Sequence, residues 1–488
     1  MSYLKFDKTV MINLEESLTR EVLRTNRVGA YHSSTVVDCN TRKYHGLLVM
    51  PVPSLDEDNH VLLSSLDETV IQHGAEFNLG LHKYGENDFS PKGHKYIREY
   101  TCDTVPRTLY RVGGVIFSKE KVFSQYENRI MIKYTLEDAH SATTVRFRPF
   151  LAFRNVKDLT YANNNLNQGY TEVTNGIKMC LYAGYPDLFM QFSKKVTFVY
   201  EPRWYYGIEY PKEQERGYPY KEDLFVPGYF EMPIKKGESV IFSGGDSQAA
   251  VTRLKSLYET EVQSRTPRTN FFNCLKNSAQ QFYFRPKTED AYLLAGYPWF
   301  KVRARDLFVS APGCTLSIDD PVRFEKIMST CLPALSAFMR DGVEDKVIKE
   351  IGEPDVLLWA IWAIQQYAKD VGAEKAGGLY MGFVEEAVQY IIDQKHPSLR
   401  VMDNGLVFAD GGKEKAISWM NSTVNGKPVV PRSGYLVEFN ALWYNALCFL
   451  KEMNGGNASE RVEGLIKAMD ISFPNTFVNG YNYLFDYV

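Results

Sequence analysis

The sequence predicts two domains of different classes, an antiparallel β-sandwich followed by an all-helical domain. The chain has 488 residues, more than a single hydrophobic core usually serves. Its first half alternates apolar and polar residues with the period of strands, whereas its second half carries apolar residues at helical spacing. A run of strands followed by a run of helices is typical of separate β and α domains.

Strand-like segments in the first half are rich in β-branched and aromatic residues. They lie at 109–123, 130–136, 144–153, 177–183, 188–200 and 229–243. Turn clusters such as Gly113-Gly114 and Glu127-Asn128 separate them, and frequent turns between short strands favour an antiparallel sandwich. We therefore assign residues 1–245 to this domain.

Amphipathic segments begin near residue 246, where the spacing of apolar residues changes. The predicted helices lie at 248–264, 270–284, 321–340, 354–371, 377–395, 437–453 and 458–470. We assign residues 246–287 to a helical linker and residues 288–488 to the helical domain.

Composition and charge exclude several kinds of partner. The net charge is −3, so electrostatics give no reason to expect nucleic acid or an anionic membrane. No apolar stretch approaches the roughly 18 residues of a membrane span, and the N-terminus lacks the pattern of a signal peptide. The seven cysteines are odd in number and scattered, which indicates reduced thiols. We expect a cytoplasmic protein.

Motifs for the common cofactors are missing from the sequence. Seven of the eight histidines lie in the strand-rich half, and no H-E-x-x-H or paired-cysteine spacing occurs. There is also no Walker loop, no G-x-G-x-x-G between a strand and a helix, and no G-x-S-x-G. We therefore predict neither a metal nor another cofactor.

Three segments of the second half are richer in polar and aromatic residues than a connector requires. The first, 295–313, is interpreted as a loop between helices and carries Trp299 shortly before Arg305 and Asp306. Arginine donates through a planar fork and aspartate accepts, so this pair could hold two sugar hydroxyls. The competing interpretation is a helix N-terminus in which Asp306 stabilises the dipole.

The second segment contains Asp355 at a predicted helix start and Trp359 one turn later, on the same face. This pattern fits a cleft rim, although an acid in the first helical turn is also an ordinary feature.

The third segment, 417–446, is kept irregular by glycine and proline before a helix that begins near Glu438. Trp419, Asn421, Arg432 and Glu438 are side chains suited to a pocket. The competing interpretation is a surface hairpin followed by an ordinary helix cap.

Long ordered strings then identify a resemblance that runs nearly from end to end. The first half contains LRTNRVGAYHSSTVVDCNTRKYHGLLV, VLLSSLDETV, PRTLYRVGGVIFSKEKVF, RPFLAFRNVKDLT and WYYGIEYPKEQERGYPYKEDLFVPG. The second half contains AGYPWFKVRARD, PDVLLWAIWA and SWMNSTVNGKPVVPRSGYLVEFNALWYNAL. On these strings the chain resembles the bacterial and archaeal glycogen debranching (amylo-α-1,6-glucosidase) family.

The resemblance implies an N-terminal β-sandwich joined to an (α/α)6 toroid of the glucoamylase-like type, acting on glycogen or another branched α-glucan. It implies hydrolysis of α-1,6 branch points with inversion, which needs one carboxylic acid and one carboxylate that activates water. Arg305 and Asp306 would hold the non-reducing glucose. Trp299, Trp359 and Trp419 would form aromatic walls of the pocket, with Asp355 and Arg432 as further binding groups.

The sequence departs from the family pattern at the expected general acid. The family's T-W-M-D appears here with Asn421 at the position of the aspartate, and an amide cannot donate a proton as a carboxylic acid does. Glu438 is the nearby carboxyl that we nominate instead. The family's W-G-R-D appears as Arg303-Ala304-Arg305-Asp306, which keeps the pair but changes one wall.

Length is the second departure. Residues 290–488 supply 199 positions, whereas twelve helices with loops commonly need about 350. The resemblance therefore implies an incomplete toroid that lacks the general base, and exposed helix faces through which copies would associate.

Two other functions remain open on the sequence. Asn421 and the missing base favour a non-catalytic glucan-binding or scaffold protein. A disaccharide phosphorylase is a further alternative, since such enzymes join the same two domain types, but the sequence shows no phosphate-binding loop. All of these interpretations expect positions 299, 305, 306, 419 and 438 to converge on one glucose-sized hollow.

Overall fold

The computed structural model describes residues 2–86, 88–411 and 414–488 of the chain. The chain divides into two units, Met1–Pro286 and Lys287–Val488. Among the described residues, the first unit contains the two large sheets and most of the strands, and the second contains six helices and several short strands.

The strands of the first unit follow one another with few helical interruptions. They are β1 (Lys5–Asp7), β2 (Glu21–Thr25), β3 (Tyr31–Thr35), β4 (Gly46–Pro51), β5 (Asn59–Gln72), β6 (Ala75–Asn78), β7 (Leu81–Lys83), β8 (Phe89–Lys92), β9 (Ile97–Cys102), β10 (Pro106–Val112), β11 (Val115–Phe123), β12 (Arg129–Asp138), β13 (Thr143–Asn155), β14 (Thr171–Val173), β15 (Gly176–Met179), β16 (Leu188–Phe192), β17 (Thr197–Glu209), β18 (Lys221–Ile234), β19 (Ser239–Gly245) and β20 (Tyr283–Phe284). Its helices are α1 (Lys8–Ile12), α2 (Leu14–Ser17), α3 (Pro211–Gln214), α4 (Leu254–Gln263) and α5 (Phe271–Gln280).

Two large sheets organise this unit. The nine-stranded sheet has the order β1-β9-β10-β11-β12-β19-β16-β15-β14. The eight-stranded sheet has the order β17-β18-β13-β5-β4-β3-β2, with β6 beside β5. Neighbouring strands within both sheets pair in antiparallel register, for example Tyr134 opposite Lys119 and Val240. The predicted antiparallel β domain is therefore confirmed.

One predicted strand segment, 109–123, is a hairpin of β10 and β11. Gly113 and Gly114 form its turn with φ of +55° and +80°, and Val112 pairs with Val115 across it. Two consecutive positive φ angles match the right-handed twist of a two-residue hairpin, and glycine adopts them without strain.

Inward-facing aromatic residues from the two sheets form one core. Phe147 of β13 in the eight-stranded sheet packs against Tyr134 of β12 in the nine-stranded sheet, with ring centroids 4.7 Å apart. It also lies 5.1 Å from Phe192 of β16. Burial alternates along β10 and along the first half of β13, as expected when one face of each sheet meets the other.

A group of ionised side chains is buried within this sandwich. Lys119 lies 4% exposed, with its Nζ 3.0 Å from Glu68 and 2.7 Å from Asp38. Tyr134 donates a 2.6 Å hydrogen bond to Glu68, and Lys121 also pairs with Asp38. The two lysines therefore neutralise the two carboxylates inside the core, which otherwise would be costly to bury.

The second unit consists mainly of helices. They are α6 (Ala304–Cys314), α7 (Pro321–Asp341), α8 (Val356–Val371), α9 (Ala373–Ile392), α10 (Val437–Met453) and α11 (Glu460–Phe477). Short strands lie between them: β21 (Tyr292–Leu293), β22 (Val302–Arg303), β23 (Ile348–Lys349), β24 (Leu399–Val401), β25 (Val407–Ala409), β26 (Thr423–Val424) and β27 (Lys427–Pro428).

The six helices form three consecutive helical pairs, α6–α7, α8–α9 and α10–α11. The first helices of the pairs lie side by side, because α8 packs against both α6 and α10, while α7 packs against α9. The central helix α8 buries nine of its sixteen residues, more evenly around its surface than an amphipathic surface helix does. A helical domain after the β domain was predicted and is confirmed.

The segment 295–313, interpreted from sequence as a loop, contains the start and most of α6. Ala304, Leu307, Phe308 and Ala311 are buried in this helix at the spacing i, i+3, i+4 and i+7. Pro312 and Gly313 near its end mask that pattern in the sequence, since both residues are poor helix formers. The loop assignment was wrong from Ala304 onward.

Two further properties concern the state of the cysteines and the length and polarity of the helices. All seven cysteines are free thiols. Among the described residues, the helices are too short or too polar to cross a lipid bilayer.

Candidate active site

Arg305, Asp355 and Glu438 lie at the N-terminal ends of α6, α8 and α10 respectively. Each of these helices is the first of its pair, and the three pack in a row. The segments that precede them are joined in part by backbone pairing, because β22 before α6 runs parallel to β23 before α8. Because the helices pack side by side and the segments before two of them pair, residues that are distant in the sequence come close together.

Arg305 and Asp355 form the centre of this arrangement. The guanidinium donates from Nε to Asp355 Oδ2 at 2.7 Å and from Nη2 to Oδ1 at 2.8 Å. Trp359 Nε1 donates to the same Asp355 Oδ2 at 3.1 Å, one turn along α8. Asp355 precedes α8, yet its side chain makes no capping bond to the helix backbone. Its carboxylate is therefore used to hold Arg305 and Trp359.

Burial and charge act in opposite directions on Arg305. The residue is 7% exposed. Burial lowers the pKa of its guanidinium, but the hydrogen bonds and charge of Asp355, together with Glu353, raise that pKa overall. Arg305 is a fixed cation, and its Nη1 group is the part of the fork that Asp355 does not engage.

Asp306 lies in the first turn of α6 and is exposed, as the helix N-terminus interpretation also expects. It makes no ion pair with the described residues. Partial desolvation raises the pKa of its carboxyl, against the opposing charges of Arg303 and Arg305. Its carboxylate can therefore accept bonds from a ligand without first leaving a partner.

Two residues that sequence reasoning missed connect this centre to the third segment. Glu353, 8% exposed, lies 3.8 Å from Arg305 Nη2 and 2.8 Å from Lys415 Nζ. The signal for Glu353 was available, because it stands two residues before Asp355 at the same helix start. Lys415 gave no signal, since an exposed lysine in a polar segment is common.

Arg432 and Glu438 form the second polar centre. Arg432 is 2% exposed and donates to both Glu438 oxygens at 2.5 and 2.7 Å. It also bonds Ser418 Oγ at 3.1 Å and Asp486 Oδ1 at 2.8 Å. Burial lowers the pKa of Arg432, and the bonds and charges of Glu438 and Asp486 more than offset this. Arg432 thus fixes Glu438 beside residue 418.

The remaining predicted residues are on the surface. Trp299 is 47% exposed beside Phe300, and Trp419 is 61% exposed. Asn421 is also exposed and directly precedes a short hairpin of β26 and β27, whose turn is Asn425-Gly426 with φ of +51° and +77°. The competing interpretation, a surface hairpin, therefore describes this part of the 417–446 segment.

Direct contacts join Arg305, Asp355 and Trp359 in one cluster and Arg432 with Glu438 in another. The Glu353–Lys415 ion pair and Ser418 link the segments that carry them. Convergence of the indoles of Trp299 and Trp419 on the same hollow stays a prediction. The arrangement as a whole supplies fixed cations, carboxylates and exposed indoles, the groups that bind and cleave sugars.

Comparison with protein families gives two matches that together cover most of the chain. Residues 20–241 match the model described as glycogen debranching enzyme N terminal. Residues 276–488 match the model described as amylo-alpha-1,6-glucosidase. No curated protein matches the chain.

Three solved structures are similar to the chain at low sequence identity. A crystal structure of a bacterial glucoamylase complexed with acarbose is 10% identical, with a TM-score of 0.43, over 98% of this chain and 68% of that chain. A polysaccharide lyase is 9% identical, with a TM-score of 0.19, over 94% and 82% of the two chains. A family GH92 alpha-mannosidase from Bacteroides thetaiotaomicron is 10% identical, with a TM-score of 0.18, over 75% and 58%.

Proposed function

The chain belongs to the glycogen debranching enzyme family, and from this premise we propose that it is a glycoside hydrolase that releases glucose from the α-1,6 branch points of glycogen. The substrate is glycogen or a related branched α-glucan. The free thiols favour a reducing compartment, so we place this glycogen catabolism in the cytoplasm.

The observation that carries the proposal is the buried Arg305–Asp355 pair with the half-buried Trp359 beside it, within the family-matched unit. A bidentate arginine that is already fixed loses little entropy when a sugar hydroxyl binds its remaining N–H groups. In this proposal the adjacent Asp306 accepts from a second hydroxyl of the same glucose. Trp299, Trp359 and Trp419 supply the apolar faces on which sugar rings stack.

Hydrolysis with inversion needs two carboxyl groups on opposite sides of the scissile bond. We propose Glu438 as one of them. Arg432 donates to both of its carboxylate oxygens, which fixes the position of this carboxyl group. Asn421 stands where the family's pattern has the proton donor, and an amide there can orient the leaving oxygen but cannot protonate it, so in this chain water supplies that proton.

The proposal is tested by incubating the purified protein with a branched limit dextrin and measuring free glucose. We expect glucose release that Glu438→Gln reduces by about 10²- to 10⁴-fold, because a carboxylate in acid–base catalysis contributes that much. Glu452→Gln, at the far end of the same helix, is the matched control and should release glucose at the wild-type rate. A wild-type protein that is folded but releases no glucose contradicts the proposal.

Asn421 favours a second candidate, a glucan-binding protein without hydrolase activity. The two candidates differ in one measurement on the same sample. A binder retains limit dextrin in equilibrium dialysis while free glucose stays at the buffer level, whereas the proposed enzyme depletes the branch points.

A further inference from the structure

The first unit carries an exposed segment whose composition differs from that of the rest of the chain. Residues 159–171, LTYANNNLNQGYT, contain no charged side chain, although a quarter of the chain is charged. The segment contains four asparagines, one glutamine and two tyrosines, and it runs across the surface from β13 to β14. Nothing in the candidate active site uses these residues.

Leu166, Asn163 and Asn167 anchor the backbone of this segment to the sandwich. Leu166 is buried in the sandwich core. Asn167 donates to the carbonyl of Cys180 at 3.0 Å, and Asn163 donates to the Tyr182 hydroxyl at 2.9 Å. The side-chain oxygens of both asparagines also accept backbone N–H groups two residues on. The backbone is therefore fixed before any ligand arrives, which lowers the entropy cost of binding.

The other amide side chains of the segment make no hydrogen bonds to the residues that the structure describes. Asn164, Asn165 and Gln168 are exposed, and their side chains hydrogen-bond none of the residues that the structure describes. Each can donate two hydrogen bonds and accept two. Such amides match the hydroxyl groups of a sugar, which also donate and accept.

Tyrosines complete the surface. Tyr161 is 54% exposed and Tyr200, on the edge strand β17, is 44% exposed. Tyr200 lies 5.3 Å from Tyr170, ring to ring, at an interplanar angle of 33°, and its hydroxyl reaches the Gln168 carbonyl at 3.4 Å. Tyr170 packs in turn against Phe198. These rings offer flat, partly apolar faces at fixed positions beside the free amides.

From these features we propose that a tyrosine–amide surface of the first unit, made of Tyr161, Asn164, Asn165, Gln168, Tyr170 and Tyr200, binds linear segments of an α-glucan. The proposal rests on the proposed function for the identity of the sugar. Charge indicates the occupant: the segment 159–171 carries no charged side chain, so it offers no attraction to nucleic acid or an anionic membrane, and its amides match a neutral polyhydroxyl chain. The nearest charges on β17, Glu201 and Arg203, pair with each other.

Native electrophoresis in gels that contain glycogen tests this surface with the full chain. Tyr161→Ala and Tyr200→Ala should each weaken retention by glycogen about tenfold, because each removes a stacking face. Asn164→Asp combined with Asn165→Asp should also weaken it while leaving all packing in place. Tyr126→Ala, an equally exposed tyrosine elsewhere in the first unit, is the matched control and should be retained like the wild type.

Retention of all the surface variants equal to that of the wild type would overturn the proposal, as would a wild type that glycogen does not retain. Glucose release from a short branched oligosaccharide, too small to span two sites, is measured in parallel. Its absence in the wild type overturns the proposed function alone. Weakened glycogen retention with unchanged release from the short substrate supports both.

Discussion

At the scale of single residues, Asp355 stands at the N-cap of α8, but its carboxylate binds other side chains instead of the helix backbone. An aspartate before a helix ordinarily accepts a backbone N–H of the first turn. Here both carboxylate oxygens face Arg305, and one also accepts from Trp359. The sequence placed Asp355 and Trp359 on one face, but it could not show the partner fifty residues earlier, since that contact depends on how α6 packs against α8.

Asp355→Ala should lower the free energy of unfolding by about 3–5 kcal/mol, because it removes both hydrogen bonds of the buried Arg305 to a carboxylate and leaves only Glu353, 3.8 Å away, as counter-ion. The measurement is urea unfolding followed by tryptophan fluorescence. Asp306→Asn is the matched control on the neighbouring helix: it removes an exposed, unpaired carboxylate and should weaken glucan binding while stability stays near wild type. Equal stability of Asp355→Ala and the wild type would show that the pair is dispensable.

Asn421→Asp should raise the rate of glucose release by about 10²-fold, since it supplies a carboxylic acid where the family's pattern has one. The site is exposed, so the substitution should fold normally. Initial rates on limit dextrin across pH 4 to 8 measure the effect, with Asn425→Asp in the nearby hairpin turn as control. An unchanged rate would mean that another group protonates the leaving oxygen.

At the scale of elements, strands and most helices follow from residue patterns, whereas α6 did not. Helix α10 begins within one residue of the predicted 437, because a long apolar stripe follows a glycine- and proline-rich segment. Helix α6 carries an equally regular stripe, but Pro312 and Gly313 obscure it. Local propensity is a weak guide where burial against a neighbouring helix decides the outcome.

The ionised pairs inside the sandwich also could not be predicted from the sequence. Lys119 sits in a strand of alternating polarity, where a lysine is usually taken to face solvent. It instead faces the core, opposite Glu68 and Asp38. Such an exception depends on partners from other strands, and only their register brings them within reach.

Lys119→Met should destabilise the first unit by about 3–5 kcal/mol, because Glu68 would remain buried without its cation. Lys133→Met is the matched control on β12, since Lys133 is about one-third exposed and pairs with Glu120 at the surface. Its cost should be below about 1 kcal/mol. Chemical denaturation of both variants gives the comparison, and similar losses would argue against a special role for the buried pair.

At the scale of the whole molecule, the order of a β domain before a helical domain was the most secure sequence prediction. It depends on the average period of hydrophobicity over hundreds of residues, so local errors cancel. The candidate site was predicted as a set of residue types but not as a set of contacts. Its centre is built by bonds between segments that are 50 residues apart in the chain, such as Arg305 to Asp355.

The stability of the folded chain should fall as the pH drops below about 6.5. Burial lowers the pKa of His32 and of His45 to about 3, from a usual value of 6.5. Between these values the unfolded chain binds protons that the folded chain does not, so acid favours unfolding by about 1.4 kcal/mol per pH unit for each histidine.

Urea midpoints at pH 7.0, 6.0 and 5.0 measure this slope. His45→Asn keeps an acceptor near the Nδ1 position that receives the Thr41 N–H, and it does not titrate. The variant should therefore show a shallower slope than the wild type. A slope that is the same in both proteins would place the acid sensitivity in other groups.

The last residues of the described chain return to the segment that carries Arg432. Tyr435 and Val488 exchange two backbone hydrogen bonds, and Asp486 supplies one of the two carboxylates on Arg432. The Arg432 segment is therefore held from two sides, by this backbone pair and by the Asp486 carboxylate. Without Asp486, Glu438 would be the one carboxylate that Arg432 engages among the described residues.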